Sequence, residues 1–472
     1  MARVLMVASE AAPFAKTGGL ADVVGALSAA VRAQGEEVAV VLPRYRGVTL
    51  EGAQCVQEQL RVWLAAGSLY EASIWLAVHG QVPYYFIDCP PLYDRPGIYG
   101  EATDYPDNHL RFAVLCQAAL AVVRYHWRPE ILHCHDWQTA LIPVYLHTRL
   151  AGDPTFMALK TLLTIHNLGY QGICPRPALG PIGLDDSVFH PDALEFFGKV
   201  NLLKGGIRFA DALSAVSPTY AREIQTPELG FGLDGLLRAR GDALTGILNG
   251  ADYAEWNPET DPQLAARYSA ADLSGKRACK ASLLAEVGLP AAALDRPLVG
   301  MVSRLDSQKG FDLLEEAASE LAAEDLSLVA LVTSPPPAEG FLRAWAAAHP
   351  AQIAVRIAYD EPLAHRIMAG ADLLLMPSRY EPCGLTQLYA LRYGAVPVVR
   401  LTGGLADTVD ETTGFRFRQY TVAALLGALR RALAAYRDQE AWTERMRRGM
   451  ARDFSWEASA ARYAELYASL AA

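Results

Sequence analysis

Short apolar runs of strand length alternate with longer stretches of helical periodicity along almost the whole chain. Strands buried on both faces read as near-continuous Val, Ile and Leu, so this alternation predicts parallel sheets joined by crossover helices. The runs place strands near 3–8, 37–42, 74–78, 83–87, 131–134, 161–165 and 213–216 in the first half. In the second half they place strands near 298–302, 328–332, 353–357, 372–376 and 396–399. A turn-rich segment, LNGADYAEWNP at 248–258, separates the two α/β patterns and is the expected domain junction. The stretch after it, to about 297, reads as helical and polar, and from 422 onward the pattern is helical apart from FSW at 454–456. At 472 residues the chain is too long for one core, so two or three domains are expected.

The hexapeptide TGGLAD occurs twice, at 17–22 and at 402–407. Each copy follows an apolar run and leads into a helical pattern, the strand–glycine turn–helix arrangement that presents backbone N–H groups to an anionic ligand. Shared packing is the other reading, and the residues leave both open. Lysine supplies only seven of the 42 cationic side chains, and two of the seven, Lys16 and Lys309, lie in glycine-bearing loops after strands.

Apolar content of 52% and charged content of 20% describe an ordinary globular chain, and a net charge of −10 argues against a nucleic-acid or anionic-membrane partner. Seven cysteines, without CxxC or Cys/His metal spacing, read as free thiols in a reducing compartment. No signal peptide, transit peptide or membrane-length apolar run is recognised, so a cytoplasmic protein is expected. The loop over 89–108, rich in Pro, Tyr and Asp, suits either the border of a sugar site or a plain surface connection.

Five segments carry candidate chemistry. In KTGGLADVVGAL, Lys16 with Gly18 and Gly19 suits a diphosphate cradle, or else a tight turn with a surface lysine; it is neither a Walker motif nor GxGxxG. HCHDWQTA and TIHNLGYQG put Asp136 and His166 directly after strands, where open α/β sheets bind ligands. His133 and His135 also have a spacing that suggests a metal, but no third ligand matches. SRLDSQKGFDLL places Arg304 and Lys309 in one loop, an anion site or a solvated basic loop. In RYEPCGLTQLYALRYG, Glu381 stands in a Pro-bounded turn ahead of a helix that Gly384 opens and Thr386 enters; a helix cap is its plain structural reading.

Together with AVSPTYAREI and LNGAD, these motifs stand in the order found in bacterial glycogen synthases and plant starch synthases, and the chain resembles that family end to end. The resemblance implies an α/β chain of the GT-B fold, two Rossmann-like doubly wound domains facing across a deep cleft. It implies an acceptor-side domain over 1–246, a nucleotide-sugar domain over 247–455, and a last helix over 456–472 returning to the first domain. The implied activity is retaining transfer of glucose from ADP-glucose to glycogen or another α-1,4-glucan, with no cofactor and no metal. Lys16, Gly18 and Gly19 match donor diphosphate and glucose contacts, with Asp22 and Asn249 as weaker matches. Arg304 and Lys309 match the cations facing the departing ADP. Glu381 with Cys383, Gly384, Leu385 and Thr386 matches the clamp on glucose and phosphate, Asp136 and His166 match polar residues beside the reacting sugar, and Tyr359 matches the adenine stack.

Three departures or choices stand out. Tyr389 replaces the second glutamate, eight positions after the first, that many related transferases carry; this favours ADP-glucose over UDP-sugars. The loop after Thr333 reads SPPP where the family usually has Gly-x-Gly-Asp, and the segment after Asp407 is short. Competing readings are a transferase for another nucleotide sugar, a PLP-dependent phosphorylase with Lys309 as its Schiff base, and a silent glucan-binding protein. The sequence carries no signature of oligomeric state.

Overall fold

The computed structural model describes residues 1–49, 51–65, 68–333 and 339–471. It divides into two compact units: Met1–Gly250 with the terminal helix, and Ala251–Ser455. The SPPP segment after Thr333 lies outside the described residues.

In the first unit the strands are β1 (Arg3–Val7), β2 (Glu37–Pro43), β3 (Gln54–Ala65), β4 (Ser68–His79), β5 (Val82–Asp88), β6 (Ile131–His135), β7 (Lys160–Ile165), β8 (Ile173–Pro175), β9 (Glu195–Phe196), β10 (Lys199–Asn201), β11 (Ala212–Ala215) and β12 (Leu244–Gly246). β8, β10 and β9 form a small antiparallel sheet. The others form a nine-stranded sheet in the order β12-β11-β7-β6-β1-β2-β5-β4-β3. Its strands are parallel except for the β3–β4 hairpin, which pairs antiparallel to β5 at one edge. Without the hairpin the chain order across the sheet is third, second, first, fourth and onward, a doubly wound sheet whose direction switches between β1 and β6. β1 from Val4 and all of β6 are buried, as both-face coverage requires. The helix Gly19–Ala33 buries Val23, Val24, Leu27 and Val31 along one stripe. The terminal helix Trp456–Ala471 belongs to this unit: Ser459 Oγ donates to the Leu248 carbonyl at 2.6 Å, and Tyr467 reaches His133 on β6.

The second unit has β13 (Leu298–Arg304), β14 (Ser327–Thr333), β15 (Ile353–Ile357), β16 (Leu373–Met376), β17 (Val396–Arg400) and β18 (Phe415–Phe417). All are parallel, in the order β15-β14-β13-β16-β17-β18, the dinucleotide-fold order with its switch point between β13 and β16. The period-two rule sorts β14 between two cores. Val329 and Leu331 join Leu283, Leu363 and Ile367 on one face, and Leu328, Ala330 and Val332 join Leu313, Leu425 and Trp442 on the other.

Every predicted strand is present, but several were missed. β3 is half-exposed, with Leu60, Val62 and Leu64 turned in and Arg61 and Trp63 exposed between them, so only its end, Val62 to Ala65, reads as apolar and the rest carries no buried-strand run. β8, β9, β10, β12 and β18 are two or three residues long and too short to carry a period. The expected helical stretch up to 297 holds one α-helix, Ser274–Val287, and a 3₁₀ turn, Ala291–Asp295; residues 252–273 are irregular.

Candidate active site

Open α/β sheets bind ligands at the carboxyl ends of strands flanking the switch point. In the second unit those ends carry the loops after β13 and β16. The first holds Arg304 and, in the 3₁₀ turn Ser307–Lys309, Lys309; the second holds Ser378 and Glu381. The loops are laced together by the Arg379 N–H donating to the Gln308 carbonyl at 2.8 Å. Across this seam Lys309 Nζ donates to both oxygens of Glu381, at 2.8 and 2.7 Å, and Ser378 Oγ donates to Oε2 at 2.9 Å. Glu381 is therefore no helix cap: the helix Thr386–Arg392 begins at Leu385 without a side-chain cap. Arg304 is exposed, and its guanidinium bonds to no described residue.

The second TGGLAD copy supports this loop from behind. Gly403 has φ +44°, and a Cβ built there would sit 1.8 Å from the Glu381 carbonyl oxygen; one on Gly404 would sit 2.1 Å from that of Cys383. The Gly404 N–H donates to the Glu381 carbonyl at 3.1 Å. On their Cβ side these glycines are packed against the loop that holds Glu381. Around the first copy the reverse holds: a Cβ on Gly18 or Gly19 meets nothing within 4 Å.

In the first unit, the loop after β1 is organised by the buried Glu10, which sequence reasoning missed. Its Oε1 accepts from Thr17 Oγ1 at 2.8 Å and from the Tyr99 hydroxyl; its Oε2 accepts from the Thr17 and Gly18 N–H groups. Tyr99 belongs to the Pro/Tyr/Asp loop over 89–108, so that loop is drawn onto the switch point. Lys16 pairs with Asp22, in the first turn of the following helix, at 2.7 Å.

After β6, Asp136 takes φ +57°, a left-handed conformation costly for most side chains but tolerated by Asp. Its Oδ1 accepts from the His166 N–H at 2.7 Å, which ties the β6 and β7 loops together. Burial pushes its carboxyl up to about 7 against the pull of those backbone donors. His166 Nε2 lies 2.9 Å from His135 Nδ1. His133 is held at both nitrogens, by the Tyr467 hydroxyl at 2.8 Å and Thr164 Oγ1 at 2.6 Å, so the His133/His135 pair is structural and not a metal couple.

Residues 3–239 match the starch synthase catalytic domain family, and residues 290–449 match the glycosyl transferases group 1 family. A glycogen synthase from Anaeromyxobacter sp. (strain Fw109-5) is 51% identical, over 99% of this chain and 99% of its own. Glycogen synthase 2 from Geobacter sulfurreducens is 48% identical, over 98% of each. This chain belongs to the glycogen and starch synthase family.

Within the family, the catalytic domain of starch synthase IV from Arabidopsis thaliana, solved with ADP and acarbose, matches with a TM-score of 0.92 at 35% identity, covering 100% of this chain and 99% of that one. A sucrose-phosphate synthase from Thermosynechococcus elongatus, 18% identical with a TM-score of 0.63, shares the fold alone. The two Rossmann-like units are thus those of the GT-B class, and the enzyme is a glycosyltransferase with glycogen synthase function.

The synthase brings Arg304, Lys309, Glu381, Cys383, Gly384, Leu385 and Thr386 to the second unit's switch point, and Lys16, Gly18, Gly19, Asp22, Asp136 and His166 to the first's. Tyr359 follows β15 and is 72% exposed. Asn249 is buried, and its Oδ1 accepts no hydrogen bond from a described residue. Tyr389 stacks on Trp256 at 4.1 Å, and Trp256 stacks on His365 at 3.7 Å. Among the described residues, Glu255, Glu361 and His365 bring three potential metal-ligand atoms within 4.8 Å of one another, but His365 is engaged by Asp261 at 2.7 Å and Glu255 is exposed. No helix among the described residues is long and apolar enough to cross a membrane.

Proposed function

We propose that this synthase transfers glucose from ADP-glucose to the non-reducing end of an α-1,4-glucan, with retention of anomeric configuration and without a metal ion. The observation that carries the reading is the Lys309–Glu381–Ser378 cluster beside Arg304 at the switch point of the second unit. Breaking a glucosyl–phosphate bond builds negative charge on the departing diphosphate. Lys309, fixed by Glu381 before the reaction begins, stabilises that charge without reorganising, and Arg304 at the start of the same loop adds a second cation. The relative solved with ADP supports an adenosine donor, and Tyr359 is suited to stack on its base.

In the first unit Lys16 and the open Gly18–Gly19 backbone serve the donor, with Asp22 holding the lysine. Asp136 and His166 flank the reacting sugar, and Cys383 to Thr386 present backbone to the donor beside Glu381. The acceptor 4-hydroxyl forms its bond to the anomeric carbon on the face where the bond to the β-phosphate oxygen breaks. Its proton passes to that departing oxygen. The reading needs no carboxylate nucleophile, and it is supported by both Glu381 oxygens being held by Lys309 and Ser378 and by Asp136 Oδ1 accepting from the His166 backbone.

Initial rates with ADP-glucose and UDP-glucose on glycogen, with and without a chelator, test the reading. The expected result is an ADP-glucose preference, an α-linked product and indifference to chelation. A UDP-glucose preference rejects the donor, and a glucosyl adduct trapped on Asp136 or Glu381 rejects the mechanism.

A further inference from the structure

His135 contributes to neither the substrate contacts nor the metal chemistry considered above, yet its position is chemically constrained. It is fully buried on β6, with its ring centroid 4.1 Å from that of His133 and its Nδ1 2.9 Å from His166 Nε2. Its own Nε2 is buried and has no hydrogen-bond partner among the described residues. His166 is only half-buried. Its Nδ1 bonds to no described residue and is absent from the fully enclosed polar atoms, so it reaches solvent. Burial holds both rings neutral near pH 7, with His166 pushed down to about 3 and His135 well below the ordinary range.

Two neutral imidazoles in hydrogen-bond contact share one proton, and either ring can supply it. If His166 supplied it, His135 would carry its own proton on the enclosed Nε2, an N–H with nothing to donate to. Orphaned buried N–H groups are rarer in native proteins than unsatisfied acceptors. If His135 supplies it, only a bare lone pair is left enclosed. We propose that His135 is a positioning residue that donates Nδ1–H to His166 Nε2 and fixes His166 as the Nδ1–H tautomer, so that His166 offers substrate a hydrogen-bond donor and not a base.

This inference rests on the reading of the site as one for sugar transfer, and it deepens that reading. With one His166 nitrogen accepting from His135 and the other already protonated, the ring has no lone pair for the acceptor hydroxyl's proton. That proton is left to the departing phosphate. His166 instead donates to an oxygen of the bound sugar.

The tautomer is read directly by long-range ¹H–¹⁵N correlation on enzyme labelled at its ten histidines, with His166 assigned through His166→Gln. The expected wild-type spectrum shows a protonated, pyrrole-like Nδ1 and a pyridine-like Nε2 for His166. In His135→Asn, whose amide nitrogen can lie where Nδ1 lies, this pattern persists and kcat stays within about threefold. In His135→Leu, His166 moves toward the Nε2–H form, and kcat falls about 10- to 100-fold, as is typical when a partner that orients a histidine is lost. An Nε2–H tautomer in the wild type overturns the proposal, as does unaltered turnover in His135→Leu. If His135→Leu does not fold, the wild-type spectrum and the Asn variant still decide. A wild type inactive with every sugar nucleotide defeats the transferase reading while leaving the tautomer measurable.

Discussion

Replacing Lys309 by alanine separates the two tasks that the structure gives this side chain. Lys309 keeps about a fifth of its side-chain surface in water (20%), whereas Glu381 keeps 5%. Without the ammonium, an almost buried carboxylate retains only the Ser378 hydroxyl at 2.9 Å. That is expected to cost about 3 kcal/mol of unfolding free energy, the low end for breaking a buried pair because Lys309 is partly hydrated. The second cost falls on turnover. Removing one preorganised charge from a developing oxyanion lowers kcat by about 10²- to 10³-fold. Equilibrium denaturation and steady-state ADP release measure the two effects, and glycogen affinity is expected to persist. Adding Glu381→Gln to Lys309→Ala removes the stranded charge, so most of the lost stability should return while turnover stays low. A kcat within about threefold of wild type in the single variant, or full recovery of turnover in the double, would refute a role for Lys309 in leaving-group stabilisation.

Gly19→Ala meets open space, so stability should change by less than about 1 kcal/mol, and any rise in donor KM then reports ligand approach. Gly403→Ala should lose more than about 3 kcal/mol in the same melts, because its Cβ would sit 1.8 Å from a backbone oxygen. Asp136 has a folded pKa of about 7, above its ordinary 3.8, so the folded state is favoured by proton binding: its contribution is fully present below about pH 4 and lost as pH rises through 7. Asp136→Asn should flatten that slope, by at most about 4 kcal/mol across the window, in denaturant melts taken from pH 4 to 8. Tyr359→Ala should raise the ADP-glucose KM by about tenfold with little change in melting temperature, since the ring is exposed and packs no core.

The parallel strands were legible because β1, β14 and β16 are covered on both faces and carry near-continuous apolar runs, and β6 opens on Ile131 and Leu132 before its buried His133, Cys134 and His135. The hairpin strand β3 was not, because one face is solvated and its signal is alternation. The same logic divides the site. Lys309, Asp136 and His166 stand in the loops that follow predicted strands, where open α/β sheets bind ligands, and they could be picked out one by one. Glu10 could not: its importance lies in contacts to Thr17, Gly18 and Tyr99, and the last is 89 residues away. A weak signal existed in a lone carboxylate, in ASE, just after β1 and eight residues ahead of Gly18. Nor does sequence show that Lys309 and Glu381, 72 residues apart, neutralise one another; that follows only from which loops flank the switch point.

The two TGGLAD copies show why a motif alone under-determines chemistry. Both begin a helix after a parallel strand, but only the second copy is crowded enough by its own chain to require glycine. Above Gly403 and Gly404 the loop holding Glu381 fills the space, so the glycines fix the height of a carboxylate that in turn fixes Lys309. A Cβ on Gly18 or Gly19 would meet no described residue within 4 Å, and the turn is held by Glu10 accepting from Thr17 and Gly18. A buried carboxylate occupied in this way leaves the next N–H groups and the paired Lys16 to face a ligand. One copy is therefore packed against its own loop, while the other leaves the open backbone that the proposed donor site needs. Exchanging Glu10 for Gln should expose the difference: the amide keeps the shape but presents an N–H₂ toward donors already in place. The first loop should then loosen and donor KM should rise, while the ion pair in the second unit, and the unfolding free energy it supports, stay unchanged.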